Sequence, residues 1–296
     1  MSMLVQLSDA WCCANPQTAA IETHWKAWAM LQLSSSPASA EKARFVVGGA
    51  FALWALASLI APAMGQPQSF HDFAAQRALG WLPHAGDVLS NLGFLMAALA
   101  GAGLMFSTRE QRLPKVVQVM AALFFFGLFS SFVGSSFYHW APHDLSLAWD
   151  RLGMSAAFAG MLGLAVQQRV NDDASAYLAG GSMLVACLAA VAISAQTGNV
   201  LPWALLQGGG VLAMLALACL PHPRSTRSNG LAINLWAVVG FYALAKLLEL
   251  GDGQVFGCTH QLISGHSSKH LVAALAALPV LSAFVALRKR PSTIGD

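Results

Sequence analysis

Eight long runs of apolar residues divide the chain, and polar residues, glycine and proline collect between them. Each run has about the twenty residues that a helix needs to cross the hydrocarbon core of a bilayer. The pattern therefore predicts an all-α polytopic membrane protein with eight transmembrane helices and short connections. The predicted spans are 45–64, 87–106, 116–138, 147–167, 176–194, 201–220, 231–250 and 269–287.

Three consecutive glycines, Gly208 to Gly210, lie inside the sixth run rather than between two runs. Small residues in membrane helices let neighbouring backbones approach closely. We therefore expect close helix packing here, not a loop.

The composition agrees with a membrane location. Of the 296 residues, 56% are hydrophobic and 10% are charged, whereas a soluble domain has about 25% charged residues. The net charge of +3 is spread over the connections and indicates no nucleic-acid partner. The five cysteines form no CxxC pair and are expected to be small hydrophobic residues.

Basic residues alternate between the ends of the runs. Eleven of them, from Lys42 to Arg290, fall on one predicted side, and three fall on the other. The positive-inside rule then puts both termini in the cytoplasm. We expect a multi-pass protein of the plasma (inner) membrane, with the connections after the first, third, fifth and seventh runs facing outward.

The predicted domain organisation is one transmembrane domain, 44–290, between two tails, 1–43 and 291–296. The N-terminal tail is predicted to be cytoplasmic. Trp25 and Trp28 favour a short amphipathic helix at the membrane interface over residues 21–33. A disordered tail is the alternative interpretation.

Polar residues with catalytic potential gather at the predicted outer ends of the runs. His266 and His270 open the last run four residues apart, so a helix presents both imidazoles on one face. Ser135 and His139 have the same spacing at the end of the third run. Asp150 follows in the fourth run after a short turn, so these segment ends must be neighbours in space.

This residue set is typical of a catalytic metal site. Three neutral histidines with one open position can hold Zn²⁺, and zinc lowers the pKa of its bound water to about 7. Asp150 would act as the general base, and Ser135 would stabilise the oxyanion. His139, His266 and His270 are the candidate ligands. The implied reaction is hydrolysis of an amide or ester whose acyl chain lies in the bilayer.

Several alternatives stay open. Ser135, His139 and Asp150 would also suit a serine hydrolase, and facing histidines can ligate haem. Ser135 could instead bond its i−4 carbonyl, and Asp150 could simply favour a helix N-terminus. A receptor, transporter or structural protein would need no catalysis at all.

The chain resembles the alkaline ceramidase family, in a superfamily of membrane hydrolases that includes the adiponectin and progestin receptors. The shared pattern is Ser-x3-His, an Asp on the following helix and a late His-x3-His. Here these are Ser135 and His139, Asp150, and His266 and His270. The strings 134–139 and 264–270 resemble bacterial members, as do 70–77 and 87–92. The resemblance extends from about residue 70 to 287.

The resemblance implies a seven-helix core made of runs two to eight, with the first run as an added helix. It also implies a zinc ion on the three histidines and hydrolysis of ceramide or a related N-acyl lipid to a long-chain amine and a fatty acid. A receptor-like or structural zinc protein of the same superfamily is the alternative. Some members bind calcium, but Ala75, Arg77 and His84 replace expected ligands beside Asp72, which argues against Ca²⁺. Protein partners are not predicted.

Overall fold

The computed structural model describes residues 37–108, 113–221 and 230–289, and every regular element in these ranges is helical. A short 3₁₀ helix, Gln68–His71, precedes the second α-helix. The α-helices are α1 (Pro37–Ile60), α2 (Ala85–Ser90), α3 (Leu92–Ser107), α4 (Lys115–Trp140), α5 (Asp144–Val170), α6 (Asp173–Thr197), α7 (Leu201–Cys219), α8 (Leu235–Leu250), α9 (Asp252–Cys258), α10 (Gly265–Leu275) and α11 (Leu278–Arg288).

Within the described residues, six segments are long and apolar enough to cross a membrane. They are α1, α2 with α3, α4, α6, α7, and α10 with α11. The prediction of an integral, multi-pass helical membrane protein is therefore confirmed. The predicted count of eight is not established, since α8 has only 16 residues and α5, at 27 residues, carries charged and amide side chains near both ends.

Two predicted runs are interrupted. The second run breaks at Asn91, between α2 and α3, and the last breaks between α10 and α11. Pro279 lies in the first turn of α11, where its missing N–H costs nothing. The predicted tails 1–43 and 291–296, including the helix proposed for residues 21–33, lie almost wholly outside the described residues. Only the end of the first tail is described, as the start of α1.

Helices α4 and α5 form the closest helix pair that positions the candidate site. Their turn is set by His143, whose side chain accepts from the Ser146 backbone N–H while the Ser146 hydroxyl accepts from the His143 N–H. This reciprocal capping box fixes where α5 begins.

The two helices then pack backbone against backbone. A Cβ added at Gly127 would lie 2.0 Å from the Ala157 nitrogen, and one at Gly153 would lie 2.5 Å from the Ser130 oxygen. Only glycine permits such an approach. We call this interface the α4–α5 seam, and its glycines are Gly127, Gly134, Gly153 and Gly160.

The glycine run of α7 behaves differently, and the prediction of close packing there is wrong. A Cβ at Gly208 or Gly209 would meet no atom within 4 Å, and one at Gly210 would meet only the Met183 Cε, at 3.5 Å. Gly210 instead lines an internal cavity.

Helix α1 lies at the edge of the bundle, against α6 and α7. None of its membrane-length window is buried, although the Trp54 Nε1 donates to the Pro202 carbonyl at 3.0 Å. The Ser175 side chain and backbone hydrogen bonds, together with Arg44 of α1, lower the pKa of Asp172, the residue that caps α6.

Residues 61–84 run from α1 to α2 across one end of the bundle, and we call them the site loop. At its start, the Val200 N–H donates to the Met64 carbonyl at 2.8 Å, and the Met64 N–H donates to Asn199 Oδ1 at 3.0 Å. Further along, the His71 ring lies between Tyr138 Oη, at 2.8 Å, and Asp144 Oδ1, at 3.0 Å. These contacts hold the loop over the ends of α4 and α5.

Candidate metal centre

The three predicted histidines come together beneath the site loop. His139 is near the end of α4, and His266 and His270 are in the first turns of α10; each is at most 5% exposed. One nitrogen from each ring lies within 4.8 Å of the others. The structure thus forms a buried three-histidine group that can hold a metal ion.

The spacing of one nitrogen pair in this group fits a small tetrahedral ion. Ligand nitrogens about 2.0–2.1 Å from such an ion lie roughly 3.3 Å from one another. The Nε2 atoms of His139 and His266 are 3.2 Å apart. Two neutral imidazoles that offer their lone pairs at this distance can share one divalent metal ion.

Hydrogen bonds behind His270 orient its ring. The Ser90 hydroxyl lies 2.8 Å from the His270 Nδ1 and 2.9 Å from the Asp87 carbonyl oxygen. Because a hydroxyl has one proton, donating it to the carbonyl leaves the Ser90 oxygen to accept from an Nδ1–H. That tautomer keeps the Nε2 lone pair of His270 for a metal, the usual role of such outer partners.

Asp87 is a buried carboxylate that the sequence analysis did not assign to the site. Its side chain accepts hydrogen bonds from Ser267 Oγ, at 2.6 Å, and Ser264 Oγ, at 3.4 Å. Asp87 has no exposed surface and ties α2 to the start of α10. The available signal was a carboxylate as the first residue of a predicted membrane run, since acidic residues in such segments are rarely without a function.

Asp252 joins the site loop to α10. Its Oδ1 accepts from the His266 N–H at 2.7 Å, and its Oδ2 accepts from the Ala74 N–H at 2.8 Å. The neighbouring Phe73 ring therefore lies over the histidines, with centroid distances of 4.7 Å to His139 and 4.4 Å to His266. An apolar ring closes this side of the metal centre to water.

Asp150 and Ser135 lie on the other side of the histidines. Both line the same cavity as His266 and His270, and the Ser135 side chain is a hydrogen-bonding neighbour of the Asp150 carboxyl group. The helix-start interpretation of Asp150 is wrong, because α5 begins at Asp144 and is capped by His143. The sequence analysis also left open a bond from Ser135 to the carbonyl four residues earlier. A bond of that kind is made one turn away by Ser131, whose hydroxyl donates to the Gly127 carbonyl at 2.9 Å.

The cavity has a volume of about 550 Å³. That size is within the range of about 300–1,000 Å³ found for small-molecule sites. Polar side chains lie at the metal centre, and the remaining wall is mainly apolar. The apolar lining includes Phe124, Leu128, Met161, Leu162, Val211, Met214, Val238 and Val239.

Four further charged residues of the described chain line the cavity without having been predicted as site residues: Arg151, Lys246, Glu249 and Lys269. Glu249 accepts from Lys246, three residues earlier on α8, and from Lys269, which lies between the two histidines of α10. The available signal for the α8 pair was the occurrence of Lys246 and Glu249 within an apolar run.

The geometry bears on two alternative mechanisms. In a serine hydrolase the base histidine bonds the serine with one nitrogen and the aspartate with the other. Here the His139 Nε2 faces His266, and its Nδ1 has no hydrogen-bond partner among the described residues. Haem needs two imidazoles on opposite faces of the macrocycle, whereas these three ring centroids lie 4.8–4.9 Å apart. Both alternatives fit this arrangement poorly.

Comparison of the chain with protein-family models and with curated proteins gave no match. The function is therefore inferred from the site itself.

Proposed function

We propose that this protein is a zinc-dependent intramembrane hydrolase that cleaves the amide bond of ceramide or a related N-acyl lipid. The observation that carries the proposal is the buried group of His139, His266 and His270, together with a largely apolar cavity that is lined by His266, His270, Asp150 and Ser135. The proposed architecture is the ceramidase-like one, a seven-helix core with α1 as an eighth, added helix.

The histidines would hold the metal through three nitrogens and leave a fourth position open towards the cavity. A zinc ion bound there would lower the pKa of a water molecule and polarise the scissile carbonyl. Ser90 and Asp252 fix His270 and His266 through hydrogen bonds. Phe73 shields the opposite side, so that a reactant enters only from the cavity.

Asp150 and Ser135 would carry out the proton and charge steps. Asp150 takes the proton of the attacking water and returns it to the leaving nitrogen, so that the amine departs neutral. Ser135 donates a hydrogen bond to the carbonyl oxygen as negative charge develops on it. The carbonyl carbon leaves as a carboxylic acid, and its alkyl chain lies along the apolar wall of the cavity.

The test is metal analysis together with a lipid-release assay on purified protein. We expect about one zinc per chain, release of fatty acid from at least one of a panel of N-acyl lipids, and loss of both in His266→Ala and His270→Ala. His260→Asn is the matched control, because His260 is exposed and has a positive φ of 51° that Asn tolerates.

Two results would overturn parts of the proposal. Equal zinc in the wild type and in His270→Ala would remove the ligand assignment. Zinc that depends on the histidines, with no turnover of any N-acyl lipid, would favour the receptor-like or structural alternative.

The proposal includes an orientation, with both termini in the cytoplasm and the metal centre near the outer leaflet. Cys258, on α9 at the site end of the bundle, is exposed and unpaired by disulfide. In a variant that keeps only this cysteine, a membrane-impermeant thiol reagent should label right-side-out vesicles without permeabilisation. Labelling only after permeabilisation would reverse the orientation.

A further inference from the structure

Two lysines share one carboxylate on the wall of the cavity. Glu249 bonds Lys246 through Oε2 and Lys269 through Oε1, so that each oxygen serves one ammonium group. All three side chains line the cavity. The chemistry proposed above assigns no role to these three residues.

The charge of the cluster is not balanced. Two cations meet one anion, and the cavity as a whole is lined by three basic side chains, Arg151, Lys246 and Lys269, against two acidic ones, Asp150 and Glu249. An uncompensated cation is costly in an apolar, low-dielectric environment. A salt bridge with a structural role alone would need only one of the two lysines.

The lysines also have hydrogen-bonding capacity beyond Glu249. Each ammonium group has three N–H donors, and the contact with Glu249 engages one from each. The Lys246 side chain is 40% exposed, and it faces the cavity. An acceptor that carries negative charge and reaches the cavity would use these remaining donors.

We propose that Lys246 and Lys269, bridged by Glu249, form a subsite for the carboxylate group of a long-chain lipid. This deepens the proposed function and rests on it in taking the cavity as the lipid site. The carboxylate has two possible sources. One is the headgroup of an N-acyl amino acid substrate, and the other is the fatty acid that amide hydrolysis releases beside the metal.

The experiment measures equilibrium binding of four oleoyl probes to the purified full chain in nanodiscs. Oleate and N-oleoylglycine carry a carboxylate, whereas oleyl alcohol and N-oleoylethanolamine are their uncharged counterparts. We expect Lys246→Met to bind the carboxylate probes about tenfold more weakly, the scale of a lost charge-assisted hydrogen bond. Binding of the uncharged probes should change less than about twofold.

Two further variants separate charge from structure. Lys246→Arg keeps the cation and should retain binding, and Lys246→Gln should repeat the loss if Lys246→Met folds poorly. Glu249→Gln breaks the same contacts but raises the positive charge, so carboxylate binding should be maintained or strengthened. A salt bridge with only a structural role predicts equal losses in Lys246→Met and Glu249→Gln.

The outcomes distinguish the sources of the carboxylate. A loss confined to N-oleoylglycine identifies an acidic headgroup, and a loss confined to oleate identifies the released fatty acid. Unchanged carboxylate binding in Lys246→Met and Lys246→Gln, or equal losses for charged and uncharged probes, would overturn the subsite. Binding is measured without turnover, so the two proposals can fail separately. Lysine-dependent carboxylate binding in a protein with no hydrolase activity would disprove the proposed function and leave the subsite in place.

Discussion

Glycines in two regions of this bundle have opposite effects. In the α4–α5 seam, the space left by a missing Cβ is filled by the facing backbone, as at Gly134, where an added Cβ would lie 2.2 Å from the Trp149 oxygen. In α7, the same absence leaves open space around Gly208 and Gly209 and places Gly210 on the cavity wall. The seam glycines let two helix backbones pack against each other, and the α7 glycines leave open space beside the helix.

If the protein acts on a long-chain lipid as proposed, the difference would let a single bundle hold both a precise site and a long flexible ligand. The seam fixes the facing ends of α4 and α5, and so brings His139, Ser135 and Asp150 together on adjacent helices. Catalytic groups need such rigid support to keep their geometry. The α7 wall needs less rigid support. The hydrophobic effect is non-directional, so an apolar wall binds an alkyl chain through buried apolar surface and volume and not through oriented hydrogen bonds.

The largest effect is expected for the carboxylate that the seam positions. Asp150→Asn keeps the shape of the side chain but cannot take a proton. Turnover should fall by about 10²–10⁴-fold, the contribution of general acid–base catalysis, while zinc content stays at the wild-type level. Single-turnover lipid release and elemental analysis on the same preparation would check this.

Ser135→Ala is the companion variant and should lose less activity than Asp150→Asn, because the metal also stabilises the oxyanion. Near-normal turnover in Asp150→Asn, with activity abolished in Ser135→Ala and zinc intact in both, would replace the metal-activated water with a serine nucleophile.

The second effect tests the comparison directly. Gly134→Ala forces a methyl group into the seam and should lower the free energy of unfolding by about 1–3 kcal/mol, as overpacking typically does. Gly209→Ala is its matched control and should leave stability unchanged or slightly higher, since Ala favours helix more than Gly does. Thermal unfolding in detergent, with metal content measured alongside, compares the two. Equal destabilisation would show that the α7 glycines also pack closely.

The smallest effect is expected for a substitution in the part of the cavity wall that α7 contributes. Gly210→Val adds a branched side chain to the cavity and should reduce the preference for long acyl chains. Shortening or lengthening a chain by one methylene in an apolar pocket changes selectivity by about 1–3 kcal/mol. We expect kcat/KM to fall about tenfold for the longest acyl chains and little for short ones. A uniform loss across chain lengths would indicate that the acyl chain lies elsewhere.

The sequence predicts the site better than it predicts the packing around it. The i, i+4 spacings pair His266 with His270 and Ser135 with His139, and the short turn adds Asp150 to the second pair. The two groups were linked because the alternation of basic residues put them on the same predicted side of the membrane. The role of a glycine depends on the partner helix, which local sequence does not reveal, so Gly208 to Gly210 were misinterpreted. The start of α5 was also missed, because the capping box of His143 and Ser146 lies in polar residues before the apolar run.

Charged residues in the predicted membrane runs were a signal of further site residues that the sequence-based prediction did not use. Asp87 begins the second run, and Lys246 and Glu249 interrupt the seventh, yet no spacing links them to the histidines. The partners of Asp87 and Glu249, Ser267 and Lys269, lie on α10, a distant part of the sequence. Long-range partners of this kind become visible only when the helices are assembled.

The ligands of the metal centre are also far apart along the chain, 127 residues between His139 and His266. During synthesis, α4 and α5 emerge together and can pair early through their seam. His139 on α4 can meet His266 and His270 only after α10 has been made. Binding of a metal ion by all three histidines would therefore require α10 to be in place. A bundle without α10 would lack His266 and His270, so a bound ion would report that α10 has joined α4 and α5.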